Sequence, residues 1–332
     1  MKGQPNGISQ LSPERLDRYL ALRDLTDPAA GRHAINILMT NLTSAIERWS
    51  GLPADIVRRP PVVPIADNYD RLFYEPDAIA RSARYSHYID EKRMLRTHTT
   101  ASIPPLLAET KHDRLIVCPG LVYRRDVVDR LHVGEPHQTD FWIARQTALR
   151  RTDLLAMIEV VVESMLPGRA YRCNETVHPY TINGLEVEVQ FNERWVEVLE
   201  CGEIHPRLLN ESHLPSQQWS GLAMGIGLDR LVMLIKQMDD IRLLRSSDAR
   251  IARQMLTLDP YEPVSNQPPT SRDMSLVSQI PTWNCWATAS EMCWASAATG
   301  SRMSSCFRYP TMSRFPKRHV SDSACLPVRR IC

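Results

Sequence analysis

Charged and amide side chains recur at strand spacing in the stretch CPGLVYRRDVVDRLHVGEPHQTDFWIAR. Its first part reads as a strand that carries Arg124 and Asp126, followed by a polar loop with His132. A returning strand carries Gln138 and Asp140, and because side chains alternate along a strand, each pair shares one face. An arginine facing a phosphate and acids facing an ammonium would provide the geometry for activating an amino acid. A charged solvent-exposed face is the alternative that this stretch alone leaves open.

A second stretch, GLAMGIGLDRLVML, combines small residues with an arginine. The small side chains of Gly221, Ala223, Gly225 and Gly227 would allow a strand to approach a ligand closely. A helix is predicted to begin directly after them, with Arg230 in its first turn. Backbone N–H groups at a helix N-terminus together with a guanidinium form an anion site. A glycine-rich strand that only packs on a helix is the alternative interpretation.

Two further stretches contribute rings and hydroxyl groups. In RMLRTHTTASIP, His98 and Thr100 share one face of a predicted strand. A lone histidine is more often a structural hydrogen-bonding group than a ligand-binding one, so this stretch alone leaves the choice open. In VHPYTINGLEVEV, His178 and Tyr180 flank a proline and precede a strand with alternating acids, a placement that indicates a pocket wall.

The elements that must position these groups are predicted from hydrophobic periodicity. SPERLDRYLALRDLTDP predicts a capped helix followed by a turn. RHAINILMTNLTSAIERWSG predicts an amphipathic helix that ends at Gly51, placed in the core or at a subunit interface. A further helix is predicted from Leu154 to Met165, and LEVEVQF and RWVEVLECG predict an antiparallel hairpin. Successive strands with helices at the ends indicate the α+β fold class, with an antiparallel sheet flanked by helices.

The bulk composition narrows the class of protein. The 332 residues are 43% hydrophobic and 23% charged, which is typical of a globular chain of one large or two smaller domains. A formal net charge of +2 provides no global field for nucleic-acid binding. No apolar run reaches membrane-spanning length and the N-terminus lacks a signal-peptide core, so we expect a cytoplasmic protein with no membrane partner. The eight cysteines form no CxxC pair, which argues against a zinc site.

The segment 278–332 differs in character from the rest of the chain. It contains two acids against seven arginines and lysines, together with nine serines, and it shows no helical or strand periodicity. This pattern predicts either translation out of frame or a disordered basic tail that touches RNA. Three tryptophans and five cysteines are unusual in disordered segments, and a real domain is the third interpretation.

The order and spacing of these stretches resemble the class II aminoacyl-tRNA synthetases, and in particular the alpha-type catalytic domain of phenylalanyl-tRNA synthetase. The blocks that carry the resemblance are NYDRLFYEPD, LRTHTT, GLVYRRDVVDRLHVGEPHQ, WVEVLECGEIHP, GLAMGIGLDRL and DDIRLLRSSDAR. The resemblance implies an N-terminal extension over 1–30 and a catalytic domain over 31–260. The segment 261–277 is then a linker and the start of a ferredoxin-like anticodon-binding domain, because PPTSRDMSLV is similar to its opening.

The resemblance assigns the nucleotide-binding residues. Arg124 matches the arginine that holds the α-phosphate of ATP, and Arg230 matches the arginine that clamps the γ-phosphate. Both would be catalytic, because a positioned charge offsets the charge that builds on phosphorus as the amino-acid carboxylate attacks. His132 matches a histidine on the ATP side. Glu197 is a candidate Mg²⁺ ligand, whereas Ile182 stands where bacterial relatives often have an acidic, metal-linked residue.

The remaining matched residues belong to the family's amino-acid pocket. They are Asp126, Gln138 and Asp140 for the substrate's ammonium and backbone, His98 and Thr100 in the lining, and Ala223 beneath the substrate ring. His178 and Tyr180 replace the two phenylalanines of a usual Phe-Pro-Phe, so two apolar rings become rings with polar groups. Asp140 replaces a usual glutamate, and Glu200 stands where glycine is usual. The pocket is therefore expected to hold phenylalanine or a related aromatic amino acid.

The resemblance implies an enzyme that uses ATP and Mg²⁺ to form an aminoacyl-adenylate and then transfers the acyl group to tRNA. A homo-oligomer or a complex with a beta-type subunit is the expected assembly. One alternative is a paralogue that activates another amino acid for an acceptor other than tRNA. A second alternative is a non-catalytic, synthetase-like binding protein, against which the intact Arg124, Arg230 and Gln138 argue.

Overall fold

The computed structural model describes residues 10–125 and 128–265. The α-helices of these residues are α1 (Pro13–Leu20), α2 (Ala34–Ser50), α3 (Ile65–Asn68), α4 (Ile103–Ala108), α5 (Arg151–Met165), α6 (Pro206–Glu211), α7 (Leu228–Ile235) and α8 (Ala249–Gln254). The strands are β1 (Ala54–Ile56), β2 (Val62–Pro64), β3 (Arg93–Leu95), β4 (Arg114–Leu121), β5 (His137–Arg145), β6 (Tyr171–Glu175), β7 (Thr181–Phe191), β8 (Arg194–Ile204) and β9 (Ser220–Gly227). None of the described helices is long and apolar enough to cross a membrane.

A seven-stranded sheet organises the described residues. Its strand order is β1-β4-β5-β9-β8-β7-β6, and every neighbouring pair is antiparallel except β1 and β4. A small antiparallel pair, β2 and β3, lies outside this sheet. The predicted α+β class with an antiparallel sheet flanked by helices is confirmed, and the one parallel pair is at an edge of the sheet.

The main core lies between the sheet and its helical layer. The predicted amphipathic helix is α2, which the His33 side chain caps at its start and Gly51 ends with a left-handed φ of 69°. Ile35, Leu38 and Ile46 on its apolar stripe are fully buried, which confirms the core position. Alternate residues of β4 and β5 point into this layer, and those between them form a second apolar cluster that includes Trp142.

Two local predictions were wrong, and both concern residues close to strand ends. β4 ends at Leu121, so Arg124 lies in the loop after the strand and not on it. The segment Thr99–Ser102 is a 3₁₀ turn, so His98 and Thr100 do not share the face of a strand. The rule that side chains alternate between faces does not apply to these residues because they lie beyond the ends of the strands. Outside a strand, tertiary contacts determine the direction of each side chain.

Some predictions fall outside the described residues. They are the site residue Asp126, the segment 266–277 of the predicted linker and anticodon-binding domain, the tail 278–332, and the first nine residues of the N-terminal extension. The boundaries of these segments therefore remain predictions.

A buried arginine requires a glycine at the end of β4. The Arg96 guanidinium is buried and donates to the carbonyl oxygens of Leu121 and Arg59, at 2.8 and 3.1 Å. A Cβ on Gly120, whose φ is +149°, would lie 2.0 Å from Arg96 Nη2. The side chain cannot move aside without losing both carbonyls. Because the Arg96 main chain also accepts the Tyr123 N–H, this packing helps to place the loop that carries Arg124.

We expect Gly120→Ala to lower the free energy of unfolding more than Gly51→Ala does. Gly51 also has positive φ, but an added Cβ there would meet no atom within 4 Å. Gly51→Ala should therefore cost only the left-handed conformation, about 1–2 kcal/mol. Gly120→Ala should cost about 1–3 kcal/mol more because of overpacking. Denaturant unfolding of both variants measures the difference. Equal losses in the free energy of unfolding would show that the Arg96 side chain can move aside at no cost.

Candidate functional site

A single cleft gathers most of the predicted site residues. It opens to solvent and contains about 1020 Å³ of empty space, counted with its open part. Ten of the twelve predicted site residues line it: Arg124, Arg230, His132, Thr100, Gln138, Asp140, His178, Tyr180, Ala223 and Glu197. The eleventh, His98, is buried behind the lining, and the twelfth, Asp126, is outside the described residues.

The floor of the cleft is the central part of the sheet. Gly225 of β9 pairs with Asp140 of β5 on one side and with Glu200 of β8 on the other. A Cβ at Gly225 would lie 3.2 Å from Gln138 Nε2 and 3.9 Å from Asp140 Oδ1. The glycine therefore keeps the space between two acidic side chains open for a ligand.

Asp140 is an acid held by neutral donors. It is fully buried and accepts hydrogen bonds from both Thr99 and Thr100, the latter at 2.8 Å, and from the Trp142 indole N–H at 3.1 Å. Burial raises the pKa of this carboxyl, and the three hydrogen bonds oppose that shift. A ligand cation seated next to Asp140 would stabilise its charged form.

Arg124 is fixed by its loop and extends into the cleft. Its main-chain N–H donates to the Gly134 carbonyl at 2.7 Å, and its Nε donates to the Thr97 carbonyl at 2.8 Å. One terminal nitrogen lies 3.5 Å from Gln138 Oε1. The outer part of the guanidinium is exposed and free to bind an anion.

Arg230 lies in the first turn of α7, directly after the glycine-rich β9. Its Nη1 donates to the carboxylate of Glu197 at 3.1 Å and to the Glu197 carbonyl at 3.3 Å. The two side chains retain 27% and 41% of their exposure, so a phosphate can compete for the guanidinium. His132 lies on the same side of the cleft and is held by Asp129 at 2.9 Å.

The described residues contain no cluster of three or more His, Cys, Asp or Glu side chains that could hold a metal ion. A Mg²⁺ ion that acts with a nucleotide needs less, since one or two carboxylates and the phosphates are sufficient. Glu197 and Glu200 both line the cleft that contains the two arginines. The residues present therefore fit a nucleotide-bound Mg²⁺ and do not form a separate metal centre.

His98 lies behind the cleft wall. Its ring stacks on Tyr74 at a centroid distance of 5.9 Å, and Tyr74 in turn contacts Tyr180. Neither ring nitrogen has a hydrogen-bond partner among the described residues; the Asn68 main chain is near but not in hydrogen-bond geometry. Burial, reinforced by the charge of Arg124, lowers the pKa of His98 to about 3, so the ring is neutral. The predicted direct contact of His98 with the amino acid remains a prediction.

His178 and Glu200 form an ion pair within the pocket wall. His178 Nε2 lies 3.1 Å from Glu200 Oε2, and the histidine side chain is 15% exposed. Burial opposes both charges, but each partner's hydrogen bond and charge prevail: the pKa of His178 is raised and that of Glu200 is lowered. Glu197 and Glu186 add to the shift of His178. The two family departures at these positions are thus in contact with each other.

The contribution of this pair to stability should depend on pH. The stabilisation that comes from His178 is fully present below pH 6.5, the ordinary pKa of histidine, and is lost as pH rises through the raised pKa of His178. The stabilisation that comes from Glu200 is fully present above pH 4.5, the ordinary pKa of glutamate, and is lost as pH falls through the lowered pKa of Glu200. We therefore compare the natural chain with the His178→Phe variant. The advantage of the natural chain in the free energy of unfolding should be largest between pH 4.5 and 6.5. Denaturant unfolding across pH measures this, with exposed His112→Phe as the control; a pH-independent difference would contradict it.

Three features of the site were missed by sequence reasoning. Trp142 stacks on Tyr180 at 6.0 Å, and the alternation Gln138, Asp140, Trp142 along β5 could have revealed it. Thr181 lines the cleft with a buried hydroxyl that has no hydrogen-bond partner. The third feature is a buried histidine–aspartate pair that flanks two predicted site residues, and no sequence signal indicated it.

The buried pair is His137 and Asp229. His137 Nε2 accepts the Leu25 N–H at 3.0 Å, so Nδ1 carries the proton and donates to Asp229 at 3.1 Å. His137 precedes Gln138 and Asp229 precedes Arg230, so the pair ties β5 to the first turn of α7. It holds the amino-acid side and the phosphate side of the cleft in a fixed relation.

The fold and this cleft define a class of protein. A family model described as tRNA synthetases class II core domain (F) matches residues 25–255, and the chain belongs to this family. The phenylalanine–tRNA ligase alpha subunit of Acaryochloris marina is 32% identical over 246 residues, which cover 74% of this chain and 73% of the relative. The subunit of the same name from Prochlorococcus marinus (strain MIT 9313) is 33% identical over 236 residues, 70% of this chain and 69% of the relative.

Solved structures agree on the fold. Pyrrolysyl-tRNA synthetase from Desulfitobacterium hafniense superposes with a TM-score of 0.52 at 17% identity, covering 70% of this chain and 78% of that one. At such identity the likeness concerns the fold alone.

Proposed function

We propose that this chain is a phenylalanine–tRNA ligase of the alpha-subunit type. It activates phenylalanine or a closely related aromatic amino acid with ATP, and it transfers the acyl group to tRNA. The observation that supports this most is one cleft that combines two arginines, Arg124 and Arg230, with an acid–amide pair, Asp140 and Gln138. The cleft lies in a class II core whose named relatives are ligases of this kind.

The first half-reaction joins the amino-acid carboxylate to the α-phosphorus of ATP and releases pyrophosphate. Arg124 holds the α-phosphate and offsets the charge that develops there, while Arg230 leaves Glu197 to clamp the γ-phosphate. His132 contributes on the ATP side. The protein forms no covalent bond to substrate, because positioning and charge stabilisation suffice.

The amino acid binds at the other end of the cleft. Its ammonium lies near Asp140, Thr100 and Gln138, with Asp126 and His98 as further predicted contributors. Its side chain extends over Ala223 towards the rings of His178 and Tyr180. The close approach of the substrate to the sheet depends on the small residues of β9.

Mg²⁺, when bound with the nucleotide, would be held by Glu197 and phosphate oxygens and would neutralise charge on the departing pyrophosphate. The acceptor is tRNA, and the assembly includes either a beta-type partner subunit or a second copy of the chain. A cytoplasmic location fits these substrates.

Two assays on the full chain, isolated with its natural assembly, test the proposal. ATP–pyrophosphate exchange across the twenty amino acids should show its highest rate with an aromatic amino acid. Aminoacylation of total tRNA should then proceed with the same amino acid. If none of the twenty amino acids supports exchange, a catalytic role is ruled out. If exchange occurs but tRNA is not acylated, tRNA is ruled out as the acceptor.

A further inference from the structure

The side-chain end of the amino-acid pocket contains polar groups with free hydrogen-bonding capacity. Thr181 lines the cleft and is 8% exposed, and its buried hydroxyl has no hydrogen-bond partner among the described residues. Glu200 uses one carboxylate oxygen on His178 and keeps 43% of its side chain exposed. A buried hydroxyl with no partner costs stability, so its presence in a binding cleft points to a ligand group that completes it.

The sheet register places Glu200 across Gly225 from Asp140 and places Thr181 one row further from the ammonium-binding end. Asp140, Gly225 and Glu200 form one row across β5, β9 and β8, and Trp142, Ala223 and Gly202 form the next row. A Cβ on Gly202 would lie 3.0 Å from the Thr181 hydroxyl, so that hydroxyl lies above this second row. An amino acid with its ammonium at Asp140 and its ring above Ala223 would therefore direct the far edge of the ring towards Thr181, with Glu200 alongside the ring on β8.

We propose that this pocket selects an aromatic amino acid whose ring carries a hydroxyl group in preference to phenylalanine. Thr181, Glu200 and His178 are the specificity residues: Glu200 accepts a hydrogen bond from the ring hydroxyl, Thr181 makes a second hydrogen bond to it, and His178 holds the Glu200 carboxylate in place. The inference rests on the proposed function and refines its substrate.

The physical advantage of such a site is asymmetric. An apolar pocket discriminates weakly against an added hydroxyl, whereas a site with a hydrogen-bonding group discriminates strongly against the substrate that lacks it. With phenylalanine bound, the Thr181 hydroxyl and the Glu200 oxygen would be covered by a ring that offers them no donor. We therefore expect the ratio of kcat/KM for the hydroxylated substrate to that for phenylalanine to exceed about tenfold.

The test measures ATP–pyrophosphate exchange by the full chain in its natural assembly, with phenylalanine, tyrosine, meta-tyrosine and 3,4-dihydroxyphenylalanine. The para and meta hydroxyls distinguish which ring position the site reads. Thr181→Val and Glu200→Gln should each reduce the preference for the hydroxylated substrate. Thr181→Val should leave the free energy of unfolding unchanged or higher, because it removes a hydroxyl that has no partner.

Thr139→Val is the matched control. Its hydroxyl is also buried without a partner, but it does not line the cleft, so the preference should stay as in the natural chain. A natural chain that favours phenylalanine, or a Thr181→Val variant that behaves as Thr139→Val does, would overturn the inference and leave the proposed function standing. If none of the amino acids supports exchange, the proposed function itself is overturned.

Discussion

Replacing Arg230 with alanine is expected to lower the rate of ATP–pyrophosphate exchange by about 10²–10³, the typical loss when one positioned charge that acts in a transition state is removed. Arg230 lies at the start of α7, and Glu197 is its only ion-pair partner among the residues that the structure describes, so its loss should leave the core packing intact. Arg124→Ala should cause a loss of similar size, because its guanidinium faces the same cleft from the loop after β4.

A double variant separates two explanations for the loss at Arg230. Without the arginine, the Glu197 carboxylate would face the phosphates unpaired and would repel them. If repulsion were the cause, Arg230→Ala combined with Glu197→Ala would recover the exchange rate. We expect the double variant to be at least as slow as Arg230→Ala, since it lacks the positive charge that stabilises the transition state and also the carboxylate proposed to hold Mg²⁺.

Arg93→Ala is the control for the loss of an arginine as such. Arg93 lies on β3 and pairs with Asp90 at the surface, with 61% of its side chain exposed. Its variant should exchange at the natural rate, and circular dichroism should show that all variants are folded. If Arg124→Ala and Arg230→Ala both exchange at rates within a factor of a few of the natural chain, the proposed phosphate-binding roles of the two arginines are wrong.

The sequence predicted those parts of the site that regular structure determines. Gln138 and Asp140 lie on one face because they are two residues apart on a real strand, β5, and Arg230 follows a strand of small residues because the helix begins where the glycines end. The α+β sheet and the hairpin of β7 and β8 followed from the same alternation.

The parts that the sequence could not predict depend on contacts between distant segments. The direction of Arg124 is set by carbonyls of Thr97 and Gly134, which only the folded loops bring together. His98 lies behind the cleft wall, where it stacks on Tyr74, a residue far from it in the chain. The contact between His178 and Glu200 joins residues on either side of a hairpin, so two separate departures from the family pattern became one structural feature only in three dimensions.

A large loss of stability is expected from Lys236→Met. Lys236 directly follows α7 as its C-cap and is fully buried, yet it has no ion pair among the described residues. Its ammonium donates to the carbonyls of Gln254, Thr257 and Asp259, at 2.8, 3.1 and 2.6 Å. These three carbonyls belong to the end of α8 and the segment after it, so one side chain fastens that segment to the helix that carries Arg230.

Methionine would fill a similar volume and leave three carbonyls without a donor. A buried acceptor left unpaired costs about 1–3 kcal/mol, and because these three hydrogen bonds are part-buried and water can reach some of the carbonyls, we expect a combined loss of about 3 kcal/mol in the free energy of unfolding. Lys111→Met, at an exposed position, is the control and should change the unfolding free energy little. Hydrogen exchange should show where the loss is felt: protection should fall first in residues 249–261, before the strands of the sheet, because local opening begins where a segment has lost its attachment. Equal unfolding free energies for Lys236→Met and Lys111→Met would mean that water replaces the ammonium at no cost, and that other contacts hold α8 in place.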